Sequence, residues 1–112
     1  MKYSLDKLNE LSGGDQEFNA SVIETFLLET PEDLAKLKDA VENKAFKLIY
    51  QFAHKIKPNA DLLGVEEVRH DMLTIEGHAI GDQDMDEINF HFKRASEELQ
   101  NAFTAFKEYL EA

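Results

Sequence analysis

The sequence predicts an all-α protein, an antiparallel four-helix bundle with one or two additional N-terminal helices. Three observations carry this reading. Glycine occurs only at positions 13, 14, 64, 77 and 81 and proline only at 31 and 58, so long segments run without a breaker. No stretch sustains the period-two alternation of a strand. The 112 residues are 43% hydrophobic, enough for one core, and no repeat or linker divides them, so residues 1–112 read as a single domain.

The elements follow in order. Ser4 is placed to cap a first helix reaching about Leu11, with Tyr3 and Leu8 at hydrophobic-staple positions, and Gly13-Gly14 ends it. Asp15 caps a second helix to about Glu29, with Phe18, Val22 and Phe26 at i, i+4, i+8 and Ile23 and Leu27 beside them. Thr30-Pro31-Glu32-Asp33 reads as a restart: a capping threonine, a proline suited to the first helical position, and two acids at the positive end of the dipole. The third helix then carries Leu34, Leu37 and Val41 to about Asn43. A fourth runs from about Lys44 to Leu63, where Gly64 stops it. A fifth, from about Val65 to Ala79, places Val68, Met72, Ile75 and Ala79 on one face. Gly81-Asp82 turns the chain into a last helix, from about Asp84 to Leu110. Its stripe is Ile88, Phe92, Ala95, Leu99, Ala102 and Phe106, the spacing of a bundle helix. The eight phenylalanines fall at core spacing and read as packing. The apolar stripes can be used up within one bundle, so a monomer is expected.

Composition narrows function. Twelve Lys+Arg against 23 Asp+Glu give a net charge of −11, which disfavours nucleic acid and anionic membrane surfaces as partners. The absence of cysteine removes disulfides, thiolate metal sites and thiol catalysis and fits a reducing, cytoplasmic location. No apolar run approaches membrane-span length, and residues 1–6 lack the apolar stretch of a signal peptide.

One segment departs from the acidic background. From Asn43 to Ala60 there is no acid, while Lys44, Lys47, Lys55 and Lys57 fall there. Such an island suits a ligand or partner of opposite charge, although chance and helix-dipole placement also produce one. At about 100° per residue, Phe46, Ile49, Ala53, Ile56, Ala60 and Leu63 form the apolar stripe, and His54 lies about 140° from Ile49, facing water. Lys47 and Asp61 share its face, Gln51 and Pro58 lie one turn to either side, and Lys55 and Lys57 flank it. A neutral imidazole is a good nucleophile. Ammonium groups nearby attract an incoming phosphoryl group, each by ~0.6 kcal/mol at ~7 Å in a water-like dielectric. No second base or activated serine shares the face, so the residues suit carrying a phosphoryl group rather than hydrolysing one. Pro58 inside a helix removes the hydrogen bond to the His54 carbonyl, at ~3 kcal/mol. Because Ala60 and Leu63 keep the apolar phase, a helix kinked at Pro58 is expected, not one that ends there.

The run Ala53-His54-Lys55-Ile56-Lys57-Pro58-Asn59-Ala60-Asp61-Leu62-Leu63-Gly64 resembles the signature of histidine-containing phosphotransfer (HPt) domains. That signature is Ala-His-x-Leu-Lys-Gly, small residues, and a glycine ten places after the histidine. Ala53, His54, Lys57 and Gly64 match and Ile56 is conservative. Pro58 replaces the usual glycine, and Asp61 stands where a small or neutral residue is common. The resemblance implies that His54 is phosphorylated on Nε2 and that Lys57 neutralises phosphoryl charge. It implies that Lys55 helps dock a receiver domain, with Lys47, Gln51, Pro58 and Asp61 on the same partner-binding surface. Counting through Gly64 without gaps, it puts the acceptor that holds the other imidazole nitrogen at Glu76. The implied partners are response-regulator receiver domains or a hybrid histidine kinase. The implied chain needs no cofactor of its own, since Mg²⁺ and the acid–base groups sit on the receiver, and it is not an enzyme in its own right. Two other readings compete: an HPt-like adaptor that binds partners without phosphorylation, and a metal-binding bundle suggested by the Glu67-Val-Arg-His70 spacing, which lacks the second such pair that a di-metal bundle needs.

Overall fold

The computed structural model describes residues 3–112, and the described residues form helices, turns and no strand. A short helix α1 (Asp6–Ser12) precedes four long ones: α2 (Gln16–Glu42), α3 (Phe46–Leu62), α4 (Glu66–Ile80) and α5 (Met85–Glu111). Each long helix packs on the next, and α5 closes the ring against α2, giving the expected antiparallel four-helix bundle with one additional N-terminal helix. Among the described residues no helix is long and apolar enough to cross a membrane. The core draws on every element, from Leu8 of α1 to Phe106 of α5.

The restart expected at Thr30-Pro31 does not occur. Pro31 lies inside α2, and Thr30 is buried rather than capping. The reason is the seam. Ile23, Phe26, Thr30, Leu34, Leu37 and Val41 are all buried along one face, and a break at Thr30 would throw half of that stripe out of phase. Pro31 stands on the exposed side, where water can satisfy the carbonyl it leaves without a donor. Phe18 also departs from expectation and is exposed. The seam passes through Asn19 instead, whose Nδ2 donates to Asn9 Oδ1 at 2.7 Å and ties α1 to α2. Phe92 is only partly buried.

The local signals at other boundaries act as read. Asp15 Oδ1 accepts from the Glu17 and Phe18 amides at the start of α2. Ser4 is the exception: the capping position of α1 is Leu5, which offers no side-chain acceptor, and Ser4, one residue ahead of it, accepts from the Asp6 amide through Oγ. Asp84 caps α5 through the Glu87 amide. Lys44 takes a left-handed turn (φ 51°), so α3 starts two residues later than the spacing suggests. Helix α3 continues through Pro58 to Leu62.

The turn after α3 is held from outside. The Ser4 amide donates to the Leu63 carbonyl at 3.2 Å, and Lys7 Nζ reaches Asp61 Oδ1 at 2.5 Å. Gly64 is required there twice over. Its φ is +68°, and an added Cβ would stand 2.4 Å from the Ser4 nitrogen. Gly13 has nearly the same φ, +66°, with open space around it. Gly64→Ala is therefore expected to cost about 2 kcal/mol and Gly13→Ala about 1 kcal/mol, the backbone penalty alone. Urea denaturation of the two variants measures the difference; equal losses would mean that the Ser4 approach contributes nothing.

A buried carboxylate joins α4 to α5. Asp71, wholly inaccessible, accepts from Arg94 Nη2 (2.5 Å) and Nε (3.1 Å to Oδ2) and from His91 Nδ1 (2.7 Å).

Candidate functional site

Helix α3 presents His54 as its stripe dictates. Ile49, Ala53, Ile56 and Ala60 are buried, and the imidazole on the opposite side is 60% exposed. The ring is nonetheless fixed in place. Tyr50, one turn earlier, stacks against it with centroids 5.6 Å apart and planes 13° from parallel. On the other edge, His54 Nδ1 lies 3.0 Å from Glu76 Oε2, and the Glu76 side chain is only 7% exposed. A carboxylate accepts and does not donate, so Nδ1 carries the hydrogen and the neutral ring keeps its lone pair on Nε2. The bundle thus sets both the orientation and the tautomer of the ring. It leaves one nucleophilic nitrogen for solvent or a partner.

The lysines sit differently from a free cationic patch. Lys57 Nζ lies 2.8 Å from Glu76 Oε1, an ion pair whose angle does not make a hydrogen bond. Glu76 is therefore shared between the imidazole and Lys57. Lys55 turns toward α2 and donates to Asp33 Oδ1 at 3.0 Å, where Asp33 is 2% exposed. This pairing, with Glu29 and Glu32 behind it, holds the Lys55 ammonium above its ordinary range. The island read along the chain is thus not an island in space, because α2 and α4 supply acids to two of its four lysines. Lys47 and Gln51 are exposed and make no ion pair or side-chain hydrogen bond among the described residues. Pro58 is exposed and shares a shallow depression with Lys57, Asp61, Arg69 and the exposed Leu73. Asp61 pairs with Lys7 and stands 3.8 Å from Arg69 Nε, so its charge is engaged within the molecule.

Three residues at this site went unread in the sequence. Tyr50 was legible by its i−4 spacing from His54. Asp33 stands on the buried face of α2, where an acid needs a partner, but nothing along the chain says which. Leu73 adds an apolar side chain beside Pro58. Glu67 and His70 gain no further ligands, and among the described residues no three His, Asp or Glu side chains are grouped to hold a metal ion.

The chain is similar to a phosphorelay intermediate protein, rdeA, of Dictyostelium discoideum, at 23% identity over 108 residues. The match covers 96% of this chain and 42% of that relative, so the chain spans less than half of the relative's length. No solved structure matches the chain significantly. The family model of the Hpt domain matches residues 21–109, which takes in all four bundle helices almost completely together with His54, Lys57 and Glu76. With most of its length matched in this way, the chain belongs to the Hpt domain family.

Proposed function

We propose that this domain is a phosphorelay intermediate: His54 accepts a phosphoryl group from the phosphorylated aspartate of one receiver domain and passes it to the aspartate of another. The observation that carries the reading is the exposed His54 ring with Nδ1 held by a buried carboxylate and Nε2 free. Nε2 attacks phosphorus in line, the N–P bond forms, and the P–O bond to the receiver aspartate breaks, leaving its carboxylate. The Nδ1 hydrogen stays in place, so the phosphorylated ring is cationic, and Glu76 faces that new charge. In the return step a second aspartate attacks phosphorus and the neutral imidazole leaves. Acid–base groups and Mg²⁺ are the receiver's contribution, so the domain is a carrier rather than an enzyme. Lys57, beside Glu76, is placed to turn toward the phosphoryl oxygens. Lys47, Gln51, Lys55, Pro58 and Asp61 bound the surface that meets the receiver. We further propose that the domain works in the cytoplasm as a monomer, without nucleic-acid or membrane partners.

The test is transfer from ³²P-phosphorylated receiver domains. Label that is acid-labile and alkali-stable is expected on this chain. Receivers that bind the chain but never label it would overturn the relay reading in favour of an adaptor.

Glu76 has its own signature. Glu76→Ala frees the ring and removes the charge facing phosphorylated His54, and transfer to His54 is expected to slow by about 10- to 100-fold. Glu76→Gln keeps an acceptor for Nδ1 without the charge and is expected to fall between parent and Glu76→Ala. Rapid-quench kinetics of label transfer separates the three proteins; equal rates would remove Glu76 from the mechanism.

A further inference from the structure

Helices α2 and α5 are the least closely packed neighbours in the ring. Their seam opens into a groove of about 450 Å³, running along α2 from Pro31 to Lys38 and along α5 from Phe92 to Gln100. That volume lies within the small-ligand range of roughly 300–1,000 Å³. Its length along α2 is about 11 Å at 1.5 Å rise per residue. The walls are mainly apolar, with Leu34 almost wholly buried and Phe92 half-buried. This is why Phe92 leaves the core stripe only partly covered.

One further observation gives the groove a chemistry. Lys38 and Lys93 line it against a single acid, Glu97, in a chain of net charge −11. Lys55 and Lys57 are each paired with a buried carboxylate, whereas Lys38 and Lys93 make no ion pair among the described residues. The groove is thus locally cationic on a strongly acidic molecule.

We propose that this groove binds a small amphipathic organic anion. Its apolar body lies against Leu34 and Phe92, and its carboxylate or equivalent anionic end is held by Lys38 and Lys93. The α2/α5 seam lies across the bundle from the α3/α4 seam that carries His54 and Glu76, so the site stands apart from phosphoryl transfer.

The test uses decanoate, decanol and decylammonium as probes, each below its micelle concentration. They are titrated into the full chain and followed by two-dimensional amide NMR. Decanoate is expected to give saturable shifts confined to residues 31–38 and 92–100 and to bind about tenfold more tightly than decanol, with decylammonium weakest. In the Lys38→Glu/Lys93→Glu variant the order should reverse. Ala35→Trp, on an exposed wall of the groove, should abolish decanoate binding without moving the urea midpoint. Shifts that do not saturate or that spread over the molecule would overturn the proposal. So would an unchanged order in the double variant, or a folded Ala35→Trp protein that still binds. Shifts at the same residues that grow with protein concentration alone would assign the groove to a second copy of the chain and overturn it as well.

Discussion

His54→Gln is expected to take up no phosphoryl group from a labelled receiver, a fall of at least about 10³-fold, while remaining as stable as the parent to within about 0.5 kcal/mol. The two halves of this outcome have separate causes. The imidazole is 60% exposed and contributes one hydrogen bond, to Glu76, so its loss scarcely touches the core. Glutamine is close in size and keeps Lys57 beside its carboxylate. What disappears is the nucleophile, since an amide has no basic nitrogen to attack phosphorus. The other histidines do not offer a substitute. His91 is mostly covered, with Nδ1 on Asp71 and Nε2 3.5 Å from Glu87. His78 is paired with Asp82, and His70 stands edge-on to His91, with no carboxylate among the described residues paired to it. Label persisting on the His54→Gln chain, read by acid lability and by NMR of the phosphorylated ring, would show that phosphorus is carried elsewhere.

The largest stability effect is expected at Asp71. Asp71→Ala removes the acceptor for three N–H groups on α5, and a cost of about 3 kcal/mol is expected, with a fall in Tm of roughly 15 °C. Arg94 is half-exposed and can turn to water, while His91 is mostly covered and cannot. Arg94→Ala instead strands a buried carboxylate and should cost at least as much. The Asp71→Ala/Arg94→Ala double variant should then lose clearly less than the sum of the singles, because neither member of this ion pair is left behind and only His91 stays unpaired. Urea denaturation of the four proteins measures this coupling. Additive losses would mean that the pair does not act as a unit.

These residues also show what could be read in advance. Helix α3 was legible because its stripe, exposed histidine and terminal glycine all agree. Helix α2 was misread at Thr30-Pro31 because a local rule for proline competes there with a buried seam of 19 residues, from Ile23 to Val41, and the seam wins. The lysine island misled for a related reason. A sequence displays charge along the chain, while Asp33 and Glu76 meet Lys55 and Lys57 across helices. Glu76 was placed only through the family's register. Tyr50 was within reach of helical spacing, but the partner of Asp33 was not.

The contact between the Ser4 backbone and the turn at Leu63-Gly64 has a consequence for biogenesis. During translation α1 and the neighbouring α2 leave the ribosome before the α3–α4 turn, which lies some 60 residues later and completes the docking surface of α1. Until that turn has emerged, α1 has only its contact with α2 to hold it. A seven-residue helix has little stability of its own, so in the finished protein the same segment should be the first to open in hydrogen exchange.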